Sequence, residues 1–457
     1  MAAAKTAFNL LNTSNTTVQT VLLDSLSRYP YNWSAWLDLA SVCINNPTAQ
    51  EEVELAITTM TTTTGSCTST LANHWMYYCF LIHVFLEQQQ DEQALQLVSQ
   101  LLFTTTDDQS NRHPSLLHQK VEDSSHYQGL FVQSNYLKAM TAVAYYNLRD
   151  FDTAQEHFLE LCQRDPFRLE QMDVFSNILY VKESKAELSH LAHCAIRNDK
   201  YRPETCCIVG NYYSLKRQHE KAVQYFQRAL KLDRSYLSAW TLMGHEFVEM
   251  KNTAAAIEAY RRAVDISPRD YRAWYGLGQT YEILNMQLYA LFYYRKAATL
   301  RPYDARMWCA MGGCYLSLDK RSEAIRSYER AVSNHDREGI ATQRLATLYK
   351  ENGDFEKAAK CYQRHLDLQQ RDNDDNDGNL TPLDEATAEA LLYLAYYHKD
   401  HMNYNIAIRY ASRLIEYPGQ EKEQAKALLR EIQSRIDSQR TFASSRANEK
   451  VEFSFSP

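Results

Sequence analysis

A set of residues recurs in this chain at a fixed interval of 34 residues. Each copy contains a tryptophan, a glycine, an alanine, a tyrosine and a second alanine, and the first two copies end on a proline. The members are Trp240, Trp274 and Trp308; Gly244, Gly278 and Gly312; Ala256, Ala290 and Ala324; Tyr260, Tyr294 and Tyr328; Ala263, Ala297 and Ala331; Pro268 and Pro302. This period is typical of helix hairpins that must stack because one hairpin cannot bury its apolar face alone. The repeat therefore predicts an α-solenoid with a concave surface, an architecture typical of binding scaffolds.

The order of these residues is that of the tetratricopeptide signature, W-x2-L-G-x2-Y followed by A-x3-F and a late proline. Tyr281 and Tyr315 occupy the tyrosine position of the first helix. Glycine inside a helix costs about 0.5–1 kcal/mol relative to alanine, so we predict that Gly244 and its equivalents permit close approach of the partner helix, against Ala256 and its equivalents. Pro268 and Pro302 are predicted to lie just past a helix end, where proline stops the helix.

The register continues in both directions with decreasing fit. We predict an all-α tetratricopeptide-repeat solenoid, a right-handed superhelix of about nine helix hairpins with no convincing strand. Thr61–Thr70 is predicted to be a flexible surface loop, and 104–127 an irregular polar insertion. The predicted divisions are degenerate N-terminal repeats with polar insertions at 1–134, a regular array at 135–372, an acidic insertion at 373–387, a last repeat and capping helix at 388–438, and a disordered tail at 439–457.

The N-terminal segment Met1–Pro30 resembles part of a hairpin without a polar cap before it. Either further repeats precede it in related proteins and are missing here, or the first helices pack on another subunit. We favour the first interpretation.

The composition favours an intracellular interaction protein. The net charge is −7 over 457 residues, and a negatively charged chain is not expected to attract the phosphates of nucleic acid. No segment has the length and apolar character of a signal peptide or membrane span. The cysteines are scattered along the sequence, as expected for reduced thiols.

His245-Glu246 begins like the zinc motif H-E-x-x-H, but Glu249 occupies the position of the second histidine. We therefore predict no cofactor, no metal, no nucleic acid, no membrane contact and no catalytic site.

Three longer stretches are more specific than the repeat itself. The segments Tyr236–Leu284, Asp173–His193 and Lys200–Leu232 closely resemble the subunit 8 family of the anaphase-promoting complex, also called the cell-division-cycle-23 family. The resemblance implies a non-catalytic scaffold in a multi-subunit cullin-RING ubiquitin ligase that acts in mitosis. It also implies sister repeat subunits and small accessory subunits as partners, homodimerisation through N-terminal repeats, and a groove that receives a short basic-aromatic motif of the co-activator.

The repeat geometry nominates the groove residues independently of the family. The first helix of each unit is expected to line the concave face. The corresponding positions hold Asp173, Asn177, Tyr180, Asn211, His245, Arg272, Tyr275, Gln279 and Glu282. Amides can hold a peptide backbone, a carboxylate can pair with an incoming arginine, and a tyrosine ring can stack on it. We expect Glu282→Lys to abolish binding of an arginine-bearing peptide without unfolding the array.

Other tetratricopeptide proteins remain alternatives. A co-chaperone clamp for C-terminal carboxylates would need a lysine where Cys207, Thr241 and Tyr275 occur, which disfavours that reading. A sister subunit of the same ligase, or another adaptor that binds peptide tails, would share the fold but not the longer stretches. An enzyme with leading repeats would need a further catalytic domain.

Overall fold

The computed structural model describes residues 15–45, 47–59, 61–64, 67–102, 131, 133–334, 336, 339–375, 385–416 and 420–452. Two compact units divide the chain, Met1–Ala239 and Trp240–Pro457. Within the described residues, 22 α-helices form ten hairpins, with one further helix before and one after them. The all-α array of helix hairpins that the repeat predicts is confirmed.

The first unit contains the less regular hairpins. Its helices are α1 Asn15–Arg28, α2 Trp33–Asn45, α3 Pro47–Thr59, α4 Trp75–Glu87, α5 Asp91–Leu102, α6 Asn135–Asn147, α7 Phe151–Arg164, α8 Met172–Val181, α9 Lys185–Asn198, α10 Pro203–Leu215 and α11 His219–Leu232, and α12 Leu237–Glu249 begins at its end. Trp36, Leu39 and Phe80 are buried in the core of the first hairpins, and Phe158, Phe175 and Ile178 in the core of the later ones.

The prediction of a flexible loop over Thr61–Thr70 is wrong. The strands β1 Thr61–Thr64 and β2 Cys67–Thr70 form a two-stranded antiparallel ribbon, in which Thr61 is opposite Thr70 and Thr64 is opposite Cys67. Threonine is β-branched and favours extended backbone, which accounts for strands in a run of threonines. The predicted insertion at 104–127 lies outside the described residues.

The second unit continues α12 and holds the regular hairpins. Its further helices are α13 Thr253–Ile266, α14 Tyr271–Ile283, α15 Gln287–Leu300, α16 Ala305–Ser317, α17 Arg321–Ser333, α18 Ile340–Asn352, α19 Phe355–Asp375, α20 Glu385–Asp400, α21 Tyr404–Arg413 and α22 Gln420–Glu452. Pro268 and Pro302 each follow a helix end by two residues. Trp240, Trp274, Trp308 and Tyr315 are half-buried, whereas the predicted packing residues Tyr281, Ala290 and Ala324 are buried.

The C-terminal part departs from the sequence-based divisions at two places. Helix α19 continues to Asp375, into the acidic stretch, and residues 376–384 lie outside the described part of the chain. Helix α22 continues to Glu452, where the sequence predicts a disordered tail from 439. Since no glycine or proline occurs between Gln420 and Glu452, no residue in this segment stops the helix. Residues 453–457 are outside the described part.

The repeat glycines face an aromatic ring of the partner helix. A Cβ atom added to Gly244 would lie 2.5 Å from Cε1 of Tyr260, and one added to Gly276 would lie 2.4 Å from Cζ of the same ring. Tyr260 is therefore packed between the first helix of its own hairpin and that of the next. In the same way, a Cβ atom on Gly278 would meet the ring of Tyr294, and one on Gly312 would meet the ring of Tyr328. The nearest atoms are thus those of the tyrosine, rather than those of Ala256 and its equivalents as predicted.

Candidate peptide-binding surfaces

The nine nominated groove residues lie on the first helices of four consecutive hairpins. Asp173, Asn177, Tyr180 and Asn211 belong to the first unit, and His245, Arg272, Tyr275, Gln279 and Glu282 to the second. The two sets are therefore described separately.

In the first unit, three of the four residues make side-chain hydrogen bonds. The Asn211 amide nitrogen donates to Oγ of Ser176 and to Oδ1 of Asn177, each at 2.8 Å. Asn177 and Asn211 are one repeat apart, so this bond connects equivalent positions of neighbouring hairpins. The Tyr236 hydroxyl donates to Oδ2 of Asp173 at 2.8 Å. Asp173 and Asn211 are buried, whereas Tyr180 is exposed. Asp173 and Asn211 thus stabilise the stacking of hairpins and present little surface to a ligand.

In the second unit, Glu282 is held by a buried tyrosine. The Tyr294 hydroxyl donates to Oε2 of Glu282 at 2.6 Å. Burial and this hydrogen bond raise the pKa of Tyr294 well above its usual value, so the hydroxyl keeps its proton. The ring of Tyr275 packs on that of Tyr294, with centroids 5.3 Å apart. Glu282 and Tyr275 are therefore brought together and fixed in orientation by one aromatic side chain.

The next hairpin leaves space beside this carboxylate. Gly313 is at the repeat position equivalent to His245 and Gln279, and a Cβ atom there would lie 4.0 Å from Oε1 of Glu282. Glu282 is half-buried, and the Tyr328 hydroxyl lies 3.9 Å from the same Cβ position. The arrangement can accept a guanidinium or ammonium group on a pre-oriented carboxylate next to a tyrosine ring.

Arg272 is anchored by the residue that caps the N-terminus of its helix. Asp270, which is buried, accepts hydrogen bonds at Oδ1 from the backbone nitrogen and from Nε of Arg272, both at 3.1 Å. Its Oδ2 atom accepts from the Thr241 hydroxyl at 3.1 Å. Because Asp270 partly neutralises the guanidinium, Arg272 is a weaker ligand for an incoming anion than the sequence suggests.

The same arrangement recurs one repeat later, at a position outside the nine nominated groove residues. Asp304 accepts from the backbone nitrogen of Arg306 at 3.1 Å and from its guanidinium at 2.7 Å. Aspartate is a favoured residue at helix N-termini because its carboxylate accepts from the first backbone amides. The Asp-x-Arg pairs at 270–272 and 304–306 are spaced by the repeat length, which is the signal that could have identified Arg306.

His245 packs inward and is neutral. Its Nδ1 atom is 2.8 Å from the Tyr260 hydroxyl. Burial, reinforced by the positive charge of Arg272 and opposed by Asp270, lowers the pKa of His245 to about 4. A neutral imidazole bonded to a buried tyrosine is suited to fixing the helix pair. Gln279 projects from the next helix as an exposed amide. It is available to a peptide backbone in a way that His245 is not.

Neither a metal site nor a membrane span is found in the residues that the structure describes. They contain no group of three or more histidine, cysteine, aspartate or glutamate side chains placed to hold a metal ion. No helix among them is both long and apolar enough to cross a membrane. Burial raises the pKa of Cys79 and of Cys314 to about 12, which disfavours the reactive thiolate at these two positions.

Comparisons with known proteins agree with the longer sequence stretches. The family model described as anaphase promoting complex subunit 8 / Cdc23 matches residues 10–105. Tetratricopeptide models match 203–236, 244–284, 271–304, 305–334 and 341–375. The tetratricopeptide-repeat fold is thereby confirmed.

Curated relatives extend the likeness over most of the chain. Anaphase-promoting complex subunit 8 of Dictyostelium discoideum is 48% identical over 420 residues, which is 92% of this chain and 62% of that protein. The subunit 8 protein of Arabidopsis thaliana is 47% identical over 413 residues, 90% of this chain and 62% of that protein. The Saccharomyces cerevisiae subunit CDC23 is 37% identical over 218 residues, 48% of this chain and 31% of that protein.

A solved structure shares the fold. The heterotetramer of Cut9 and Hcn1 from the anaphase-promoting complex matches with a TM-score of 0.50 and 17% identity, and covers 87% of this chain and 72% of that chain. The present chain spans somewhat less than two thirds of the length of the first two curated relatives, 62% in each case. Within that span, the resemblance noted in the sequence is confirmed, and the chain is a homologue of the subunit 8/Cdc23 proteins of the anaphase-promoting complex.

Proposed function

We propose that this chain is a non-catalytic scaffold subunit of an anaphase-promoting complex, a cullin-RING E3 ubiquitin ligase, and acts in the nucleus and cytoplasm of dividing cells. Identity of 47–48% over nine tenths of the chain to two subunit 8 proteins supports this role. The helices of the described residues are arranged in consecutive hairpins. Partners under this proposal are sister repeat subunits, small accessory subunits and, through N-terminal repeats, a second copy of the same subunit.

Affinity purification of the tagged chain from dividing cells, followed by mass spectrometry, tests membership of the complex. Recovery of cullin-like, RING-finger and sister repeat subunits in similar amounts would support the scaffold role. Recovery of chaperones alone would contradict it. Light scattering of the purified chain would show separately whether it forms a dimer.

We further propose that the second unit binds an arginine-bearing co-activator motif through Glu282. The observation behind this proposal is the fixed carboxylate, which accepts from Tyr294 at 2.6 Å and has its other oxygen next to Gly313. A carboxylate held in place loses less conformational entropy when it pairs with arginine. Tyr275 supplies a ring beside it for stacking, and Gln279 an exposed amide for the peptide backbone.

The structure also shows how to test Glu282 without disturbing the fold. Glu282→Lys would deprive the buried Tyr294 hydroxyl of its acceptor, which costs about 1–3 kcal/mol, so loss of binding could follow from local unfolding. Glu282→Gln keeps a carbonyl oxygen for Tyr294 and removes only the charge. In a fluorescence-anisotropy titration with the co-activator's basic-aromatic peptide, we expect Glu282→Gln to weaken binding by about tenfold or more.

Two controls separate the effect of the Glu282 charge from the effect of its orientation by Tyr294. Tyr294→Phe removes the hydrogen bond that orients Glu282 but keeps the carboxylate charge. It should therefore weaken peptide binding less than Glu282→Gln does. A peptide with alanine in place of arginine should bind wild-type and Glu282→Gln proteins equally weakly. Equal affinity of the arginine peptide for the wild type and Glu282→Gln would show that Glu282 is not its ligand, while leaving membership of the complex untouched.

A further inference from the structure

The outer helix of one hairpin in the second unit exposes three large apolar side chains on one face. Leu288, Tyr289 and Phe292 of α15 are 66%, 60% and 53% exposed. They follow Met286, which is 48% exposed at the turn before the helix. Residues three and four apart lie on the same side of a helix, so Leu288 and Tyr289 together with Phe292 form a contiguous surface, here called the α15 patch.

Five other hairpins have small or polar residues at the equivalent positions of the repeat. These positions hold Ala186, Glu187 and His190; Glu220, Lys221 and Gln224; Ala254, Ala255 and Glu258; Ser322, Glu323 and Arg326; Glu356, Lys357 and Lys360. The repeat fold therefore does not require apolar side chains there. Scattered single apolar residues on a surface need no explanation, but three on one helix face mark an interaction site.

The patch contains a stacked tyrosine ring, and basic residues follow it on the same helix. The ring of Tyr289 stacks on Tyr281, with centroids 5.6 Å apart, and Tyr281 stacks in turn on Tyr293 at 5.1 Å. Lys296 lies one turn beyond Phe292, with Nζ 6.0 Å from the centre of that ring. Helix α15 contains Arg295 and Lys296 but no acidic residue. Stacked aromatic side chains with basic residues one turn away suit a partner that is apolar and acidic.

We propose that the α15 patch docks an acidic segment of a partner protein that inserts aliphatic or aromatic side chains against Leu288, Tyr289 and Phe292. The acidic residues of that segment pair with Lys296 and its basic neighbours. This surface is on the second helix of its hairpin, whereas Glu282 and the other groove residues are on first helices. The proposal therefore does not depend on the function proposed above.

The chain itself offers the variant that tests the patch. Leu288→Ser, Tyr289→Glu and Phe292→Arg together install the residues that the next hairpin has at the same positions, so the helix is expected to fold. The net charge of the three changes is zero. The probe is a short fluorescein-labelled peptide that alternates glutamate with leucine and tryptophan, titrated against the full chain. We expect the triple variant to weaken its binding by about tenfold or more.

Lys296→Glu should weaken the same binding and reduce its dependence on salt, whereas Lys231→Glu, an exposed change in the first unit, should not. A peptide with lysine in place of every glutamate should bind the wild type poorly. Equal affinity of the acidic peptide for the wild type and the triple variant would overturn the proposal. Concentration-dependent self-association that the triple variant abolishes would also overturn it, because a second copy would then be the occupant.

Discussion

The indole nitrogen of Trp274 donates a hydrogen bond of 2.8 Å to the carbonyl oxygen of Pro268, six residues earlier. Trp308 makes the same bond to Pro302, again at 2.8 Å, and Trp36 makes it to Pro30 in the first unit, also at 2.8 Å. The proline ends the preceding structure and leaves a carbonyl that the first helix of the next hairpin satisfies. The late proline and the tryptophan of the signature thus act as a pair across the turn between hairpins.

The hydrogen bond from tryptophan to the proline carbonyl predicts which tryptophan substitution lowers the free energy of unfolding more. Trp36 is fully buried whereas Trp274 is half-buried, so Trp36→Phe leaves a buried carbonyl without a donor and Trp274→Phe leaves one that water can reach. We expect Trp36→Phe to cost about 2–3 kcal/mol and Trp274→Phe about 1 kcal/mol or less. Urea denaturation followed by circular dichroism measures both. Tyr303→Phe, at a highly exposed position, should be neutral, and equal losses for the two tryptophans would contradict the argument.

The tyrosine packed between two glycines provides a second test. Gly244→Ala would bring a methyl group to 2.5 Å from the Tyr260 ring, and we expect a loss of about 2–3 kcal/mol because the buried ring must shift. Gly313→Ala has its nearest neighbouring atoms at 3.9 and 4.0 Å, so it gains helix propensity without a clash. The expected gain is about 0.5–1 kcal/mol. Thermal denaturation of the two variants should shift in opposite directions, and a shift in the same direction would refute the steric explanation.

The 34-residue period predicts the hairpins, their boundaries and the identity of the packing positions, because those features depend on residue spacing alone. It does not predict side-chain partners. The register placed Gly244 against Ala256, whereas the ring of Tyr260 reaches over from one turn further along the same helix. Likewise, the position of Asp173 and Asn211 on the first helix of a repeat predicts that they face a ligand. Their burial depends on Tyr236 and Ser176, which lie outside the repeat consensus.

Backbone strain recurs at the hairpin turns and predicts a stabilising substitution. Arg217, Lys251 and Asn285 occupy equivalent turn positions and have φ of 58°, a left-handed conformation, while Gly353 has φ of 83° at the same position two repeats after Asn285. A side chain with a Cβ atom adopts this conformation at a cost, which glycine avoids. We expect Lys251→Gly to stabilise the second unit by about 0.5 kcal/mol, since the greater freedom of glycine in the unfolded chain offsets part of the gain.

Differential scanning calorimetry of Lys251→Gly against Lys251→Ala separates the two contributions, because alanine removes the same side chain but retains the Cβ atom. Gly353→Ala should destabilise by about 1 kcal/mol. A lower melting temperature for Lys251→Gly than for Lys251→Ala would contradict this prediction, because the greater freedom of glycine in the unfolded chain would then outweigh the relief of the left-handed backbone.

The neutral His245 makes stability depend on pH in a defined direction. Its pKa is about 4 in the folded protein and about 6.5 in an unfolded chain. Between these values the unfolded chain binds a proton that the folded protein does not, so the free energy of unfolding falls as the pH falls through this window. The full contribution is present above about pH 6.5, and about 3 kcal/mol of it is lost by about pH 4.

His245→Gln isolates this contribution, because glutamine does not titrate and its amide can still bond to the Tyr260 hydroxyl. We expect the difference in free energy of unfolding between about pH 7 and pH 5 to be smaller in the variant than in the wild type by about 2 kcal/mol. Urea titrations at the two pH values measure it, and the exposed His193, changed to glutamine, serves as the matched control. Since the carboxylates of the chain titrate alike in both proteins, their contribution cancels in the comparison. An unchanged pH dependence in His245→Gln would mean that the imidazole is solvated and is not held neutral by burial.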